Sequence, residues 1–334
     1  IAVTGVTGLI RGQQPGSGKV VLLRADMDAL PIQEENEVEY RSQIPGTMHA
    51  CGHDAHTAML LAVARLLMER RDQFAGTVKL VFQPAEEGGG GAKVMIDEGV
   101  LEDPKVDAAF GMHVAQEEPV GTISLRPGPI MAAADRFTMV IKGRGGHGAQ
   151  PHLTIAQIVT ALQTIVSREI DPLDPAVVTV GAFRAGEALN VIPDTAELRG
   201  TVRSFSPAVR EQLATRIQEI SRGIAGAMRA GIDIDYRYGY PVTINNPEMT
   251  ALVRDVAQGV VGDDNVLEAP MHMGAEDFSY FLERVPGCFF FVGSRNPEKG
   301  LVWGHHHPRF DIDEDAMAIG IETMTRVALR YLAS

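Results

Sequence analysis

Cysteine and positive charge are both scarce in this chain of 334 residues. Its 2 cysteines, Cys51 and Cys288, cannot make a disulfide framework, so a reducing compartment is expected, with the cytoplasm as default and Cys51 available as a free thiolate. Lys and Arg number 30 against 43 Asp and Glu, a net charge of -13. That is the wrong sign for a nucleic-acid binder, whose affinity comes largely from basic side chains on phosphate. No apolar run reaches the roughly 18 residues that a membrane span needs. The opening IAVTGVTGLIRGQQPG also lacks the basic segment, apolar stretch and cleavage site of a secretory leader. Small-molecule chemistry fits what remains. With 45% hydrophobic residues the chain can bury one large core or two moderate ones, and its length favours two domains.

Along the first part, strand and helix alternate. IAVTGVTGLI, KVVLLRADMD, TVKLVFQP and VDAAFGMHV read as strands, the last with few polar positions, as suits a strand buried on both faces. A helix is predicted from Asp54 through HTAMLLAVARLLMERRD, with Asp54 where an N-cap belongs, and a second over AKVMIDEGVL. This alternation predicts an α/β fold, a mostly parallel sheet with helices on both faces. From DRFTMVIKG to GIDIDYRYG, two helices and about four strands make a self-sufficient α+β unit. The expected organisation is a larger domain from residues 1–132 and 240–334, interrupted by a smaller one at 133–239. A strand at the very start, with nothing before it, implies that earlier elements of the protein lie outside this sequence.

The 10 histidines carry most of the functional signal. The stretch MHACGHDAHTAM places His49, Cys51, His53, Asp54 and His56 within a few positions, and His305, His306 and His307 stand in one row. In open α/β sheets, ligands sit beyond the carboxyl ends of strands. His53, Glu86, Glu87 and His113 all fall at or shortly after predicted strand ends, so one rim could gather them. Thiolate, imidazole and carboxylate together suit zinc-like or manganese-like divalent ions. Adjacent Glu86 and Glu87 cannot easily make equivalent contacts with one ion, which suggests that one ligates while the other moves a proton. Two ions fit better than one, because Cys51, His53, Glu87, His113 and one histidine of the row make five donors. Each feature alone has a bland reading: a buried apolar thiol, a solvated EE loop before GGGG, a surface HHHP turn. Their conjunction favours metal.

Two rivals are weaker. GRGGHG at 143–148 formally matches a dinucleotide fingerprint, but PHLT delays the following helix, and Glu169 and Asp171 lie in the loop after it rather than at a strand tip. A Cys51 nucleophile activated by His53 or His49 would leave the glutamate pair and the histidine row without work.

RADMDALPI, GTMHACGHDAHTAMLL, FQPAEEGGGGA, GMHV, GRGGHGAQPH, NVIPDTAELRGTVRSF, GAEDFSYF and HHPRFDIDED, in this order, resemble the aminoacylase and carboxypeptidase superfamily of two-metal peptidases. The likeness is greatest to its amidohydrolase branch, with hippurate hydrolase, N-acyl-amino-acid amidohydrolases and the plant indole-acetyl-amino-acid hydrolases, and it covers essentially the whole chain. It implies two divalent ions per subunit (Mn, Zn, Co or Ni) held by Cys51, His53, Glu87, His113 and His306. It implies Glu86 as general base and later proton donor, and Asp28 as the residue orienting a ligand from behind. Residues 1–132 and 240–334 would be the catalytic domain, and 133–239 a ferredoxin-like dimerisation or lid domain. From that insert His147 would reach across a homodimer to polarise the scissile carbonyl, while Asn190 and Arg203 hold the substrate, Arg203 through its carboxylate. The implied reaction is cleavage of an N-acyl amino acid to a carboxylic acid and an amino acid. A metallo-dipeptidase or carboxypeptidase, or an inactive binding relative of the same fold, are the alternatives. Relatives usually begin with a further helix and strand of the type R-R-x-L-H-x-x-P-E, so a fragment or alternative start is expected. The segment after PHLT reads IAQI where relatives commonly carry an acidic residue and proline.

Overall fold

Strands β1 (Val6–Arg11) and β2 (Val20–Asp26) open a computed structural model that describes residues 1–16, 18–149 and 156–334. Two units divide the chain. One comprises Ile1–Ile130, Thr243–Pro270 and Glu276–Ser334; the other comprises Met131–Val242 and Met271–Ala275.

In the first unit, β2 is followed by α1 (His53–Glu69), β3 (Thr77–Gln83), α2 (Gly91–Asp97), β4 (Ala108–Pro119), β5 (Ile123–Leu125) and β6 (Gly128–Met131). In the second unit come β7 (Ala133–Lys142), β8 (Gly146–His147), α3 (Ala156–Thr164), β9 (Ala176–Arg184), β10 (Val191–Ile192), β11 (Thr195–Ser204), α4 (Pro207–Ala227) and β12 (Gly231–Tyr240). The chain returns to the first unit with β13 (Thr243–Asn245), α5 (Pro247–Val261), β14 (Val266–Glu268), α6 (Ser279–Leu282), β15 (Gly287–Arg295) and α7 (Asp315–Ala333).

The large sheet runs β1-β3-β2-β4-β15-β5-β14. Its centre is parallel (β3 with β2, β2 with β4, β4 with β15), whereas β1 pairs antiparallel with β3 and β5 antiparallel with β15. Every residue of β2 is buried, the signature of a strand covered on both faces. On one face Val21, Leu23, Leu80 and Phe110 pack against Met59, Leu60, Val63 and Leu67 of α1 and Met324, Val327 and Ala328 of α7. α1 buries these positions because they recur at helical spacing. α5 starts with the same economy: Asn246 accepts from the N–H groups of Glu248 and Met249, and Pro247 needs no donor there.

The second unit is a four-stranded antiparallel sheet in the order β12-β7-β11-β9, with α3 and α4 packed on one face through Ile158, Leu162, Leu213 and Ile217. With one helix between β7 and β9 and the other between β11 and β12, this is the ferredoxin-like arrangement that the sequence predicts. Thr154 and Ile155, where the sequence begins the α3 helix, lie outside the described residues, as do the PHLT segment and the first residue of IAQI. Among the described residues no helix is long and apolar enough to cross a membrane.

Candidate metal centre

Three parallel strands deliver the site to one rim. Beyond β2 comes Asp28, beyond β3 come Glu86 and Glu87, and His113 stands in β4 two residues past its last pairing with β2, Arg24 opposite Gly111. The sequence puts His113 at a strand end; β4 instead continues to Pro119, and His113 emerges because β2 stops first. Asp28 ties the group together. Its two carboxylate oxygens accept from the backbone N–H of Glu86 and of Glu87, each at 3.0 Å, and its carbonyl accepts from His53 Nδ1 at 3.0 Å. Ala85, at φ 59°, turns both N–H groups onto that one carboxylate. A left-handed non-glycine residue costs on the order of 1–3 kcal/mol and persists where surrounding structure over-determines it. Although burial works against ionisation of Asp28, the His53 contact and the two N–H donors hold its carboxyl below the usual range.

The helix cap differs from the sequence reading. α1 begins at His53 and Gly52 precedes it at φ 84°, with Asp54 inside the first turn and no side-chain cap. A Cβ on Gly52 would lie 2.6 Å from Val114 Cγ2, so glycine is required on both counts. This sharp entry sets Cys51 and His53 side by side. The donor atoms of Cys51, His53 and Glu87 all lie within 4.8 Å of one another. Cys51 Sγ is 3.5 Å from His113 Nε2, and Glu87 Oε1 is 3.3 Å from His306 Nε2. Thus the structure brings Cys51, His53, Glu87, His113 and His306 together. His305, which nothing in its row of three singles out, stands 3.9 Å from Cys51 Sγ through Nδ1.

The donor set fits divalent ions. His53 Nδ1 gives its proton to the Asp28 carbonyl and His113 Nδ1 to the Val114 carbonyl at 2.6 Å, which leaves both Nε2 lone pairs facing inward. His53 Nε2 and Glu87 Oε1 are buried and 4.0 Å apart; His53 Nε2 has no hydrogen-bond partner, and Glu87 Oε1 faces the His306 ring at 3.3 Å. Such an orphan would cost about 1–3 kcal/mol unless a cation takes it up. Burial pushes His53 down, but Asp26, Asp28 and Glu87 outweigh it and raise the imidazole to about 9. The field of this rim favours positive charge. Burial pushes the Cys51 thiol well up, and Glu87 and Glu86 add to it. That is the opposite of what a cysteine nucleophile needs, whereas a coordinated metal would deprotonate the thiol.

His56 plays another part. Its Nδ1 donates to Asp26 at 2.6 Å and its Nε2 accepts from Val114 N–H at 3.0 Å, so both ring nitrogens are used and none is left for a metal. Burial lowers it and keeps it neutral.

Behind the rim lies a cluster that the sequence reading passed over. Arg24, wholly buried in β2, donates to Asp26 at 2.6 Å, to Glu276 and Asp277 at 2.9 Å each, and to Gln83 at 2.9 Å. Glu86, 7% exposed, has a carboxylate oxygen within 4.8 Å of both Glu276 and Asp277. Burial raises the Glu86 carboxyl well above its usual range, and Glu276 and Asp277 add to the effect. Raised carboxyls of this kind suit proton transfer near neutral pH.

Glu276 itself is pushed up to about 8 by burial, with Asp26 and Asp277 adding and Arg24 opposing. An unfolded chain loses this proton near 4.5 and the folded chain near 8, so between them the native state binds more protons and stability falls as pH rises. Glu276→Gln, with no proton to lose, is expected to flatten that fall. Melting temperatures of chelator-treated protein at about pH 5 and about pH 8 check it; an unchanged difference between them would count against the assignment.

His147, Asn190 and Arg203 all belong to the second unit. β8 and β10 form a small antiparallel pair in which His147 lies opposite Val191, and Gly148 N–H donates to the Asn190 carbonyl at 2.8 Å. His147 and Asn190 are therefore neighbours, both exposed. Arg203 is on β11.

Comparison with known proteins bears on this chemistry. Residues 22–330 match the family described as Peptidase family M20/M25/M40. A thermostable carboxypeptidase 2 of Saccharolobus solfataricus is 43% identical over 337 residues, covering 98% of this chain and 84% of the relative. An N-acetyl-L-cysteine deacetylase of Bacillus subtilis is 42% identical over 337 residues, covering 99% and 78%. Among solved structures, the Bacillus subtilis YxeP protein, described as a dinuclear metal-binding peptidase of the M20 family, superposes with a TM-score of 0.86 at 36% identity, covering 99% of this chain and 86% of that one.

Proposed function

The chain belongs to peptidase family M20/M25/M40 and is a metal-dependent hydrolase of amide bonds, and on that premise we propose that its substrates are N-acyl amino acids, cut to a carboxylic acid and a free amino acid. The observation that supports the site most directly is the unpartnered, buried His53 Nε2 set beside Glu87 Oε1 and Cys51. Cys51, His53, Glu87, His113 and His306 would hold two divalent ions, of zinc, manganese, cobalt or nickel, all compatible with sulfur, nitrogen and oxygen donors. Such ions, when bound, supply Lewis acidity that makes water a nucleophile near neutral pH and polarises a carbonyl.

This chain's own residues do the rest. Glu86, held by its neighbours behind the rim, takes the proton of the attacking water and later hands it to the departing amine. Asp28 fixes His53 and presents both glutamates. In the inserted domain, which we read as a lid and dimerisation domain of a cytoplasmic homodimer, His147 of the partner chain donates to the oxyanion. Asn190 and Arg203 hold the amino-acid end, Arg203 by its carboxylate.

A second reading is favoured by the carboxypeptidase relative: the same groups would cut a peptide next to a free carboxyl terminus. One panel decides. Metal-loaded protein is expected to release amino acid from N-acetyl and N-benzoyl amino acids, and to lose that activity with chelator and regain it with metal. Turnover confined to dipeptides or longer peptides would favour the carboxypeptidase reading, and none on either class would end both.

A further inference from the structure

Two imidazoles flank Cys51 Sγ, and their tautomers make them opposites. His113 gives its Nδ1 proton to the Val114 carbonyl, so the Nε2 that stands 3.5 Å from the sulfur is a bare lone pair. His305 is arranged the other way round. The backbone N–H of Gln116 donates to His305 Nε2 at 3.3 Å, which leaves no place for a proton on that nitrogen, so the neutral ring carries its hydrogen on Nδ1. Nδ1 is the atom that faces Cys51 Sγ, at 3.9 Å. One ring therefore offers the sulfur an electron pair and the other a donor.

The surroundings hold His305 in that pose. Its ring lies against Phe310, with centroids 4.9 Å apart, and stands edge-on to His113 at 5.2 Å. Phe310 is buried and also lies 3.5 Å from where a Cβ on Gly52 would stand, so the side chain that backs His305 backs the turn beside Cys51 as well. Glu117 Oε2 is 3.8 Å from His305 Nε2, beyond hydrogen-bond range and on an exposed side chain. The same geometry argues against His305 as a further ligand. An ion on Nδ1 would move the ring proton to Nε2, head-on to the Gln116 N–H.

Resting on the reading of Cys51 as a metal ligand, we propose that His305 is a positioning residue for it: His305 Nδ1–H donates to the metal-bound sulfur, fixing that side chain and drawing charge from the thiolate. His305 acts through Cys51 and touches neither ion nor substrate. A sulfur that shares its charge with a donor gives less of it to the ion, and hydrogen bonds behind a ligand set metal affinity as well.

The test uses the full chain loaded with cobalt(II), whose sulfur-to-cobalt charge-transfer band reports the thiolate and whose ligand-field bands report coordination geometry. His305→Leu is expected to move the charge-transfer band to longer wavelength, with ligand-field bands and cobalt content at saturation unchanged, and to weaken cobalt binding against a chelating dye by about 10-fold. His305→Asn, whose amide N–H can stand where Nδ1–H stood, is expected to restore most of both. A charge-transfer band that His305→Leu leaves in place would overturn the proposal, and so would a lost cobalt or altered ligand-field bands, which would make His305 a ligand. Imidazole nitrogen NMR of the parent protein needs no variant: a proton on His305 Nε2 would also overturn it. Cobalt bound by the parent with no sulfur band would instead sink the Cys51 reading on which the proposal rests.

Discussion

Glu86→Gln is expected to lower kcat by about 10³-fold while leaving metal content unchanged, and Glu87→Ala to lose both activity and metal. The contrast follows from two adjacent side chains in different surroundings. Glu87 presents Oε1 to His53 and His306, 4.0 Å and 3.3 Å away, where we propose that it faces a cation. Glu86 lies on the other side, among Glu276, Asp277 and Arg24, where burial favours its protonated form. An amide at position 86 keeps the volume and accepts hydrogen bonds, but it cannot take up a proton, so only the chemical step suffers. Elemental analysis alongside turnover of an N-acyl amino acid separates the two variants. Equal metal and equal activity in both would refute this division of labour.

The second large effect is on stability. Arg24→Met is expected to cost about 3–5 kcal/mol, because it leaves the ionised Asp26 buried without its counter-charge and takes the guanidinium donor from Glu276 and Asp277. The gross attraction in the intact cluster is offset by desolvation, so the loss measures stranded carboxylates more than a bond energy. Combining Arg24→Met with Glu276→Gln and Asp277→Asn is therefore expected to recover part of the loss. Urea unfolding of the three proteins reads this out. A single variant within about 1 kcal/mol of the parent by that measure would show that Asp26 is neutral as well and that the cluster is not ionic.

The parts of this fold that the sequence made legible are those where one physical signal dominates. α1, β2 and β3 carry helical or continuous apolar patterning and lie close to their predicted bounds. Short strands such as β5, β13 and β14 have three residues each, too few for any period to show. In the site, the proposed donors stand out in the sequence because residue types with a common chemistry recur at strand ends. Gly52 was not read as the cap because Asp54 carries a stronger local signal, and the choice depends on Val114, distant in sequence. Arg24 escaped notice for a related reason. A charged residue near the end of an apolar strand reads as a step toward solvent, and only the fold brings Glu276 and Asp277, some 250 residues on, to enclose it. Three histidines in a row offer no periodicity to rank them; His306, at φ 64°, turns toward Glu87 by a backbone twist that composition does not encode.

The imidazole at 113, and in part the one at 53, takes its orientation from a carbonyl of the main chain. Every residue type supplies that same oxygen. Substitutions at Asp28 or Val114 can shift such an acceptor, yet none can delete it, so the proton that each ring places on Nδ1 is buffered against sequence change around it.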